Sequence, residues 1–224
     1  MIMKKAYFND DFKQTQAVIN GTKTQFRQIV PQKAFDAWND IDDGDEYSRS
    51  VYAGSNEAKM RNFLLDYSQY KVGEEVAVAQ CYRYIYCQEP AERLSEEYSM
   101  WFLKQKGLTD SKGWRNKIFV KAEYMPHKIE ITDIRVQRLQ DISEEDCLAE
   151  GIAKEQVRLE YDEPYDTILY NFPNSNLIKK STNSLVGYYL TAKEAYAALI
   201  DQISGKGTWE RNPYCFCYTF QLVK

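Results

Sequence analysis

The chain has 224 residues, of which 44% are hydrophobic and 28% charged, and its formal net charge is −4. This composition excludes extensive disorder, and the acidic balance argues against a protein that coats double-stranded DNA, although a local basic cleft remains compatible with it. No apolar run approaches the length of a membrane span and no signal-peptide stretch begins the chain, so we expect a cytoplasmic protein.

The cysteine pattern argues against a metal site. There are five Cys and one His, without a Cys-x-x-Cys pair, and Cys215 and Cys217 lie two apart in a strand-like run. An odd count without a secretory signal indicates reduced thiols. We therefore expect no bound metal and no cofactor.

The first elements are predicted from capping and turn residues and from hydrophobic periodicity. Residues 4–8 favour a short strand, and Asp10 or Asp11 is placed to cap a helix that ends at Gly21. The run Thr24 to Val30 follows as a second strand.

The middle of the chain combines strands with insertions. Residues 32–70 are interpreted as an insertion whose acidic stretch, 40–46, resembles a calcium loop only in charge, and whose second half is helical. Residues 76–87 alternate as a central strand. A second insertion at about 88–113 contains a helix, and a strand is predicted over 117–123.

The last third contains the clearest signals. In the strand 128–136 the apolar residues change phase, which indicates a β-bulge. Residues 143–150 form a helix with N-cap and C-cap signals, and 153–190 are a third insertion without an assignment. A capping box at Thr191 opens a helix that ends at Gly205. The run 214–222 alternates as a final strand. Strands without a βαβ rhythm favour an α+β or β-barrel fold.

Several segments are similar, in order, to the ASCH family, a branch of the PUA-like proteins, in the form encoded by phages and prophages. The most specific runs from Ile131 to Ile152 and includes Ile134-Arg135-Val136 and Glu150-Gly151-Ile152. The others are Ile19 to Arg27, Gly73 to Gln80, Gly113 to Lys121 and Trp209 to Tyr214.

The resemblance implies an α+β fold, namely a PUA-like (ASCH) β-barrel with flanking helices and helical insertions. It also implies a ligand cleft beside the turn Gly21-Thr22-Lys23-Thr24. Members are thought to bind RNA or to act on nucleosides. The first hypothesis is therefore that the chain binds RNA or a nucleotide.

One branch of the family hydrolyses the amide of acetylated cytidine, which gives a second hypothesis. Its Lys corresponds to Lys23 and its Glu to Glu150, but its catalytic Thr corresponds to Phe26, which has no hydroxyl. Ala79-Gln80 also replaces an Arg-Glu pair of the family. Lys23 and Glu150 are the candidate catalytic residues. A third hypothesis is a phage accessory module that binds another protein through the insertions.

The ligand-binding candidates combine cations with stacking side chains. They are Lys23, Thr24, Arg27, Gln80, Tyr82, Trp114, Lys117 and Lys121. Each has an ordinary structural interpretation as well. Lys23 is compatible with a solvated turn, Glu150 with an exposed helix end, and Tyr82 and Trp114 with the core.

Overall fold

The computed structural model describes residues 3–41, 51–52, 54–88, 100–159, 165–173 and 187–223. The strands within these ranges are β1 (Lys4–Ala6), β2 (Gln25–Ile29), β3 (Glu75–Val78), β4 (Lys128–Arg138), β5 (Ala153–Leu159), β6 (Tyr165–Asn171) and β7 (Tyr214–Val223). The helices are α1 (Gln14–Ile19), α2 (Gln32–Asn39), α3 (Asn56–Leu65), α4 (Tyr82–Gln88), α5 (Met100–Gln105), α6 (Glu144–Ala149), α7 (Ala192–Ser204) and α8 (Thr208–Arg211). The predicted α+β class is confirmed.

Five strands form one mixed sheet in the order β1-β3-β4-β7-β2. β1 pairs with β3 in parallel, and the remaining neighbours are antiparallel. The described strands do not close into a ring, so the predicted β-barrel is wrong for this part of the chain. β1 has only three residues, and the gap between the edge strands is bridged by side chains. The rings of Phe8 and Phe26 contact there with centroids 5.5 Å apart.

The predicted bulge in β4 is confirmed. The register of β4 against β7 shifts between Ile131 and Asp133. A bulge adds one residue to one strand and therefore reverses which residues face the core. Ile129 and Ile131 before the bulge and Val136 after it are consequently all buried.

Two predicted strands are wrong. The alternation over 76–87 continues as a strand only to Val78, and the chain then forms α4. Tyr82 and Ile85 are both buried. Their spacing of three residues is typical of a helix, whereas the alternating tyrosines match the period of a strand, so the pattern fits both structures. Residues 117–123 form two short 3₁₀ turns instead of a strand.

The insertions differ in how much of them is described. The acidic stretch 40–46 lies mainly outside the described residues, and the helix predicted after it is α3. The unassigned region 153–190 contributes a hairpin of β5 and β6. Of the described helices, none combines the length and apolar character needed to cross a bilayer.

The predicted caps of two later helices are confirmed. The Ser143 hydroxyl accepts a hydrogen bond from the backbone N–H of Asp146, and Thr191 does the same for Glu194. The predicted Asp cap of α1 is wrong. That helix begins at Gln14 after Lys13, whose φ of 51° is left-handed, while the Asp10 carboxylate accepts from the Thr15 hydroxyl.

The β2–β7 pair separates two cores. The larger one contains the alternating aromatics of β7, Tyr214, Phe216, Tyr218 and Phe220. The opposite face of β7 carries the small side chains of Cys215 and Cys217, which pack with α6 and α7. This second face leaves room beneath the helices for longer polar side chains from β2.

Candidate functional site

The candidate site begins at the turn after α1. Gly21 has a φ of 75°, a left-handed conformation that glycine adopts without the penalty of a Cβ. The backbone N–H groups of Thr22 and Lys23 both bond the carbonyl of Ala17. The N–H of Thr24 then bonds the carbonyl of Ala149, 2.8 Å away. This last bond fixes the turn against the end of α6.

Lys23 and Glu150 form a buried ion pair. The Nζ of Lys23 lies 2.6 Å from Oε2 of Glu150 and 2.7 Å from its backbone carbonyl oxygen. The two side chains are 1% and 4% exposed. Glu150 stands at the C-terminal end of α6, where a carboxylate is unfavourable and a cation is favourable. Lys23 provides that cation, which accounts for an acidic residue at this helix end.

Arg27 joins this pair to a second carboxylate. Its NH1 donates to Oε1 of Glu150 at 2.8 Å, and its NH2 to Oδ2 of Asp146 at 2.9 Å. The side chain is 1% exposed. Asp146 also accepts from Gln25 at 3.0 Å and from Arg135 at 3.4 Å. The Lys23, Arg27, Asp146 and Glu150 side chains, called the ion-pair network below, are formally neutral as a group.

Burial perturbs the titration of Lys23 and Arg27. It lowers the pKa of Lys23, and the attraction of Glu150 opposes that effect. Burial by itself, the largest single cause, also lowers the pKa of Arg27, but the charge interactions with Glu150, Cys217 and Tyr196 and the hydrogen bond to Glu150 together outweigh it, and the pKa is raised. Arg27 is therefore charged at every physiological pH.

A cavity of about 310 Å³ opens beside the network. Its apolar wall includes Phe8, Phe26 and Leu199. Tyr7, which is 47% exposed, lies at its edge. The remaining lining residues are Asn9, Gln14, Lys23, Arg27, Glu150, Tyr196, Ile200, Ile203 and Ser204. Ile203, which the helical pattern assigns to the core, is 36% exposed at this cavity. The volume is at the lower end of ordinary small-molecule sites.

The structure brings together three of the predicted site residues, Lys23, Arg27 and Glu150. Thr24 adjoins them through its bond to Ala149. Lys117 lies at the rear of the cavity wall, since its Nζ donates to the carbonyl of Phe8 and pairs with Asp10 at 2.8 Å.

The other predicted ligand residues do not line the cavity. Gln80 is 5% exposed and bonds the ring of His127 at 3.1 Å. Tyr82 is 2% exposed, and its hydroxyl accepts from the backbone N–H of Lys121. Trp114 lines a separate cavity of about 580 Å³. The Lys121 side chain is 65% exposed and pairs with Glu123 at 3.7 Å. Tyr82 is thus a core residue.

Phe26 takes the place of the hydroxyl that the family resemblance implies. Its ring stacks on Tyr218 at 4.7 Å between centroids and contacts Phe8, Tyr70 and Phe220 at 5.5, 5.9 and 5.8 Å. The aromatic core therefore continues into the cavity wall. At this position the site offers an apolar surface and no nucleophile.

Sequence reasoning missed Asp146 and Tyr196. Asp146 precedes Glu150 by four residues, so both carboxylates project from one face of α6. Tyr196 falls on the buried stripe of α7, and its ring lies 5.8 Å from the Arg27 guanidinium. Helical spacing was the available signal in both cases, but it does not show that β2 would place a cation between them.

Comparisons with known proteins give no relative: no family model matches the chain, and no curated protein or solved structure matches it significantly.

Proposed function

We propose that the protein binds a nucleobase in the Lys23 cavity, either in a nucleoside or nucleotide or within single-stranded RNA. The observation that carries the proposal is the combination of aromatic walls, from Tyr7, Phe8, Phe26 and Tyr196, with a buried polar network. Proteins that recognise unpaired bases stack them on aromatic rings and read their edges with hydrogen bonds. The resemblance to ASCH proteins agrees with this function, and membership in the PUA-like fold family is part of the proposal.

The ion-pair network is better suited to a neutral base than to a phosphate. Lys23 and Arg27 are each neutralised by a carboxylate within 3 Å. A phosphate would have to displace Glu150 from Lys23 or Arg27 and leave that buried carboxylate with one cation fewer. A neutral base adds no charge to the cavity.

Tyr7 allows this function to be tested without disturbing the core. Tyr7 lines the cavity and is half-exposed, so Tyr7→Ala removes a stacking surface together with one contact of the ring to the Lys5 ammonium, 5.6 Å from its centroid. Loss of one stacking contact typically weakens binding by about 1–3 kcal/mol, which is roughly fivefold or more. Isothermal titration with the four ribonucleosides and with short single-stranded RNA measures the affinity of both proteins.

A matched control is Tyr165→Ala. Tyr165 is 52% exposed and lies on β6, away from the cavity, so this variant should bind as the wild type does. Absence of binding to every nucleoside and oligomer at millimolar concentration, or equal affinity of wild type and Tyr7→Ala, would overturn the proposal.

Amide hydrolysis on a modified nucleoside is a second candidate, favoured by the 2.6 Å contact between Lys23 and Glu150. A carboxylate beside a buried lysine can orient a water molecule and accept its proton. Both oxygens of Glu150 already accept from cations and Phe26 has no hydroxyl, so the arrangement favours binding. Release of acetate from acetylated cytidine by the wild type, with none from Glu150→Gln, would instead establish the enzyme.

A further inference from the structure

The hydrogen-bonding groups around the cavity are unequally divided between donors and acceptors. Each carboxylate oxygen of Glu150 already accepts a short bond from a cation, Oε2 from Lys23 and Oε1 from Arg27. The Lys23 ammonium has three N–H groups, and Glu150 takes two of them. The ion-pair network therefore retains donors while its strongest acceptors are occupied.

The two side-chain amides of the lining have the same bias. Oδ1 of Asn9 accepts from the backbone N–H of Asp11 at 2.9 Å, and Oε1 of Gln14 accepts from the backbone N–H of Asn9 at 3.3 Å. Within the described ranges, neither amide nitrogen donates to another protein atom. Both NH₂ groups therefore remain to be satisfied by solvent or ligand.

Tyr196 contributes a buried hydroxyl that can donate or accept. The residue is 1% exposed, and its hydroxyl has no hydrogen-bond partner among the described residues, nor does Nε of Arg27. Burial raises the pKa of Tyr196 well above its ordinary value, so the hydroxyl keeps its proton. Buried polar groups are almost always satisfied, which makes an unpaired hydroxyl in a cavity wall an indication of a missing partner. The hydroxyls of Tyr7 and Ser204 can donate or accept and leave the balance unchanged.

We propose that the cavity selects a neutral base rich in carbonyl oxygens, of the uracil type, over an adenine-type base. This inference rests on the proposed nucleobase-binding function. Uracil presents two carbonyl acceptors, which match N–H donors from Asn9, Gln14 and Lys23. Adenine has no carbonyl and accepts only through ring nitrogens, and its amino group would face those donors. Sites that leave buried groups unpaired reject such analogues strongly.

The inference is tested by isothermal titration with uridine and adenosine, two neutral nucleosides with the same sugar. Uridine should bind the wild type about tenfold more tightly than adenosine, the equivalent of one or two hydrogen bonds. Tyr196→Phe removes a buried polar partner and should weaken the binding of uridine. Tyr189→Phe, which removes a hydroxyl that does not line the cavity, should leave that binding unchanged.

Asn9→Asp is a second variant, at a residue that is only partly buried. It keeps the oxygen that accepts from Asp11 and replaces the NH₂ donor by an acceptor, so the ratio of uridine to adenosine affinity should fall several-fold without loss of fold. If adenosine binds as tightly as uridine while Tyr7→Ala weakens both, the inference is overturned and the proposed function stands. If neither nucleoside nor any oligomer binds, both are overturned.

Discussion

The two faces of the β2–β7 pair bury side chains of opposite character at the same positions along the chain. On one face Phe26 packs into a cluster with Tyr218 and Phe220. On the other face Arg27 lies opposite Cys217 and forms ion pairs with Asp146 and Glu150. Both faces exclude water, but the first does so with apolar surface alone and the second with charges that require exact partners.

The difference shows how one strand supplies both the scaffold and the chemistry of a cavity. Alternation sends successive residues to opposite faces, so Phe26 contributes the apolar wall and Arg27 the polar one. The small side chains of Cys215 and Cys217 leave the volume that Arg27 and Tyr196 occupy. Variants of each face should therefore fail in different ways.

The largest effect is expected on the charged face. Glu150→Gln leaves Lys23 and Arg27 buried with one carboxylate fewer, and loss of one partner of a buried pair costs about 3–5 kcal/mol. Urea unfolding measures the loss. Glu145→Gln, on the exposed side of the same helix, should change the free energy of unfolding by less than about 0.5 kcal/mol.

A second change sharpens that prediction. Adding Lys23→Met to Glu150→Gln removes the uncompensated cation and should recover part of the lost stability. A loss below about 1 kcal/mol in the single variant, or no recovery in the double variant, would show that water reaches the network.

A smaller effect is expected on the aromatic face. Phe26→Ala removes four ring contacts and should lower the free energy of unfolding by about 2–3 kcal/mol, below the range for a fully buried Phe because this residue is only half-buried. Gln28→Ala, the next exposed residue on the same face, serves as the control and should be nearly neutral. Equal losses in the two variants would mean that the ring cluster does not stabilise the sheet.

The smallest effect per side chain concerns pH and the thiols beneath Arg27. Burial raises the pKa of both Cys215 and Cys217 from 9.0 to about 12. Between these values the unfolded chain releases thiol protons that the folded chain retains, so stability falls as pH rises above 9. The expected loss is about 1.4 kcal/mol per thiol by pH 10.

The check compares urea unfolding of the wild type and a Cys215→Ala, Cys217→Ala double variant from pH 7.5 to 10.5. Other groups titrate in both proteins, so the double variant should show the shallower decline. Identical slopes would indicate that the thiols ionise freely in the folded protein.

The sequence allowed prediction of the parts of the fold that carry local signals. Caps at Ser143 and Thr191 and the phase change in β4 each depend on neighbouring residues, and the structure confirms all three. The strand over 76–87 failed because Tyr82 and Ile85 also satisfy the helical period. The periodicity of 76–87 carries no information about Gly113, a residue distant in sequence that packs against Tyr82. A Cβ at Gly113 would lie 2.6 Å from the Tyr82 ring, so this glycine makes room for α4.

The candidate site was predictable only where single residues matched a motif. The family resemblance indicates Lys23 and Glu150, and the structure places the two side chains in contact. Arg27 is predicted as a ligand-binding cation, but its guanidinium is buried between two carboxylates. That role depends on β2 and α6 meeting in space, which spacing along the chain does not encode.

The contact between Lys23 and Glu150 spans 127 residues of sequence, and this has a consequence for how the protein is made. β2, which carries Arg27, pairs among the described strands only with β7, the last one. During synthesis the N-terminal part emerges first, with its lysine and arginine still lacking carboxylates and a neighbouring strand. The cavity is therefore completed only when residues 214–223 have left the ribosome, so a nascent chain cannot capture a ligand before that strand emerges.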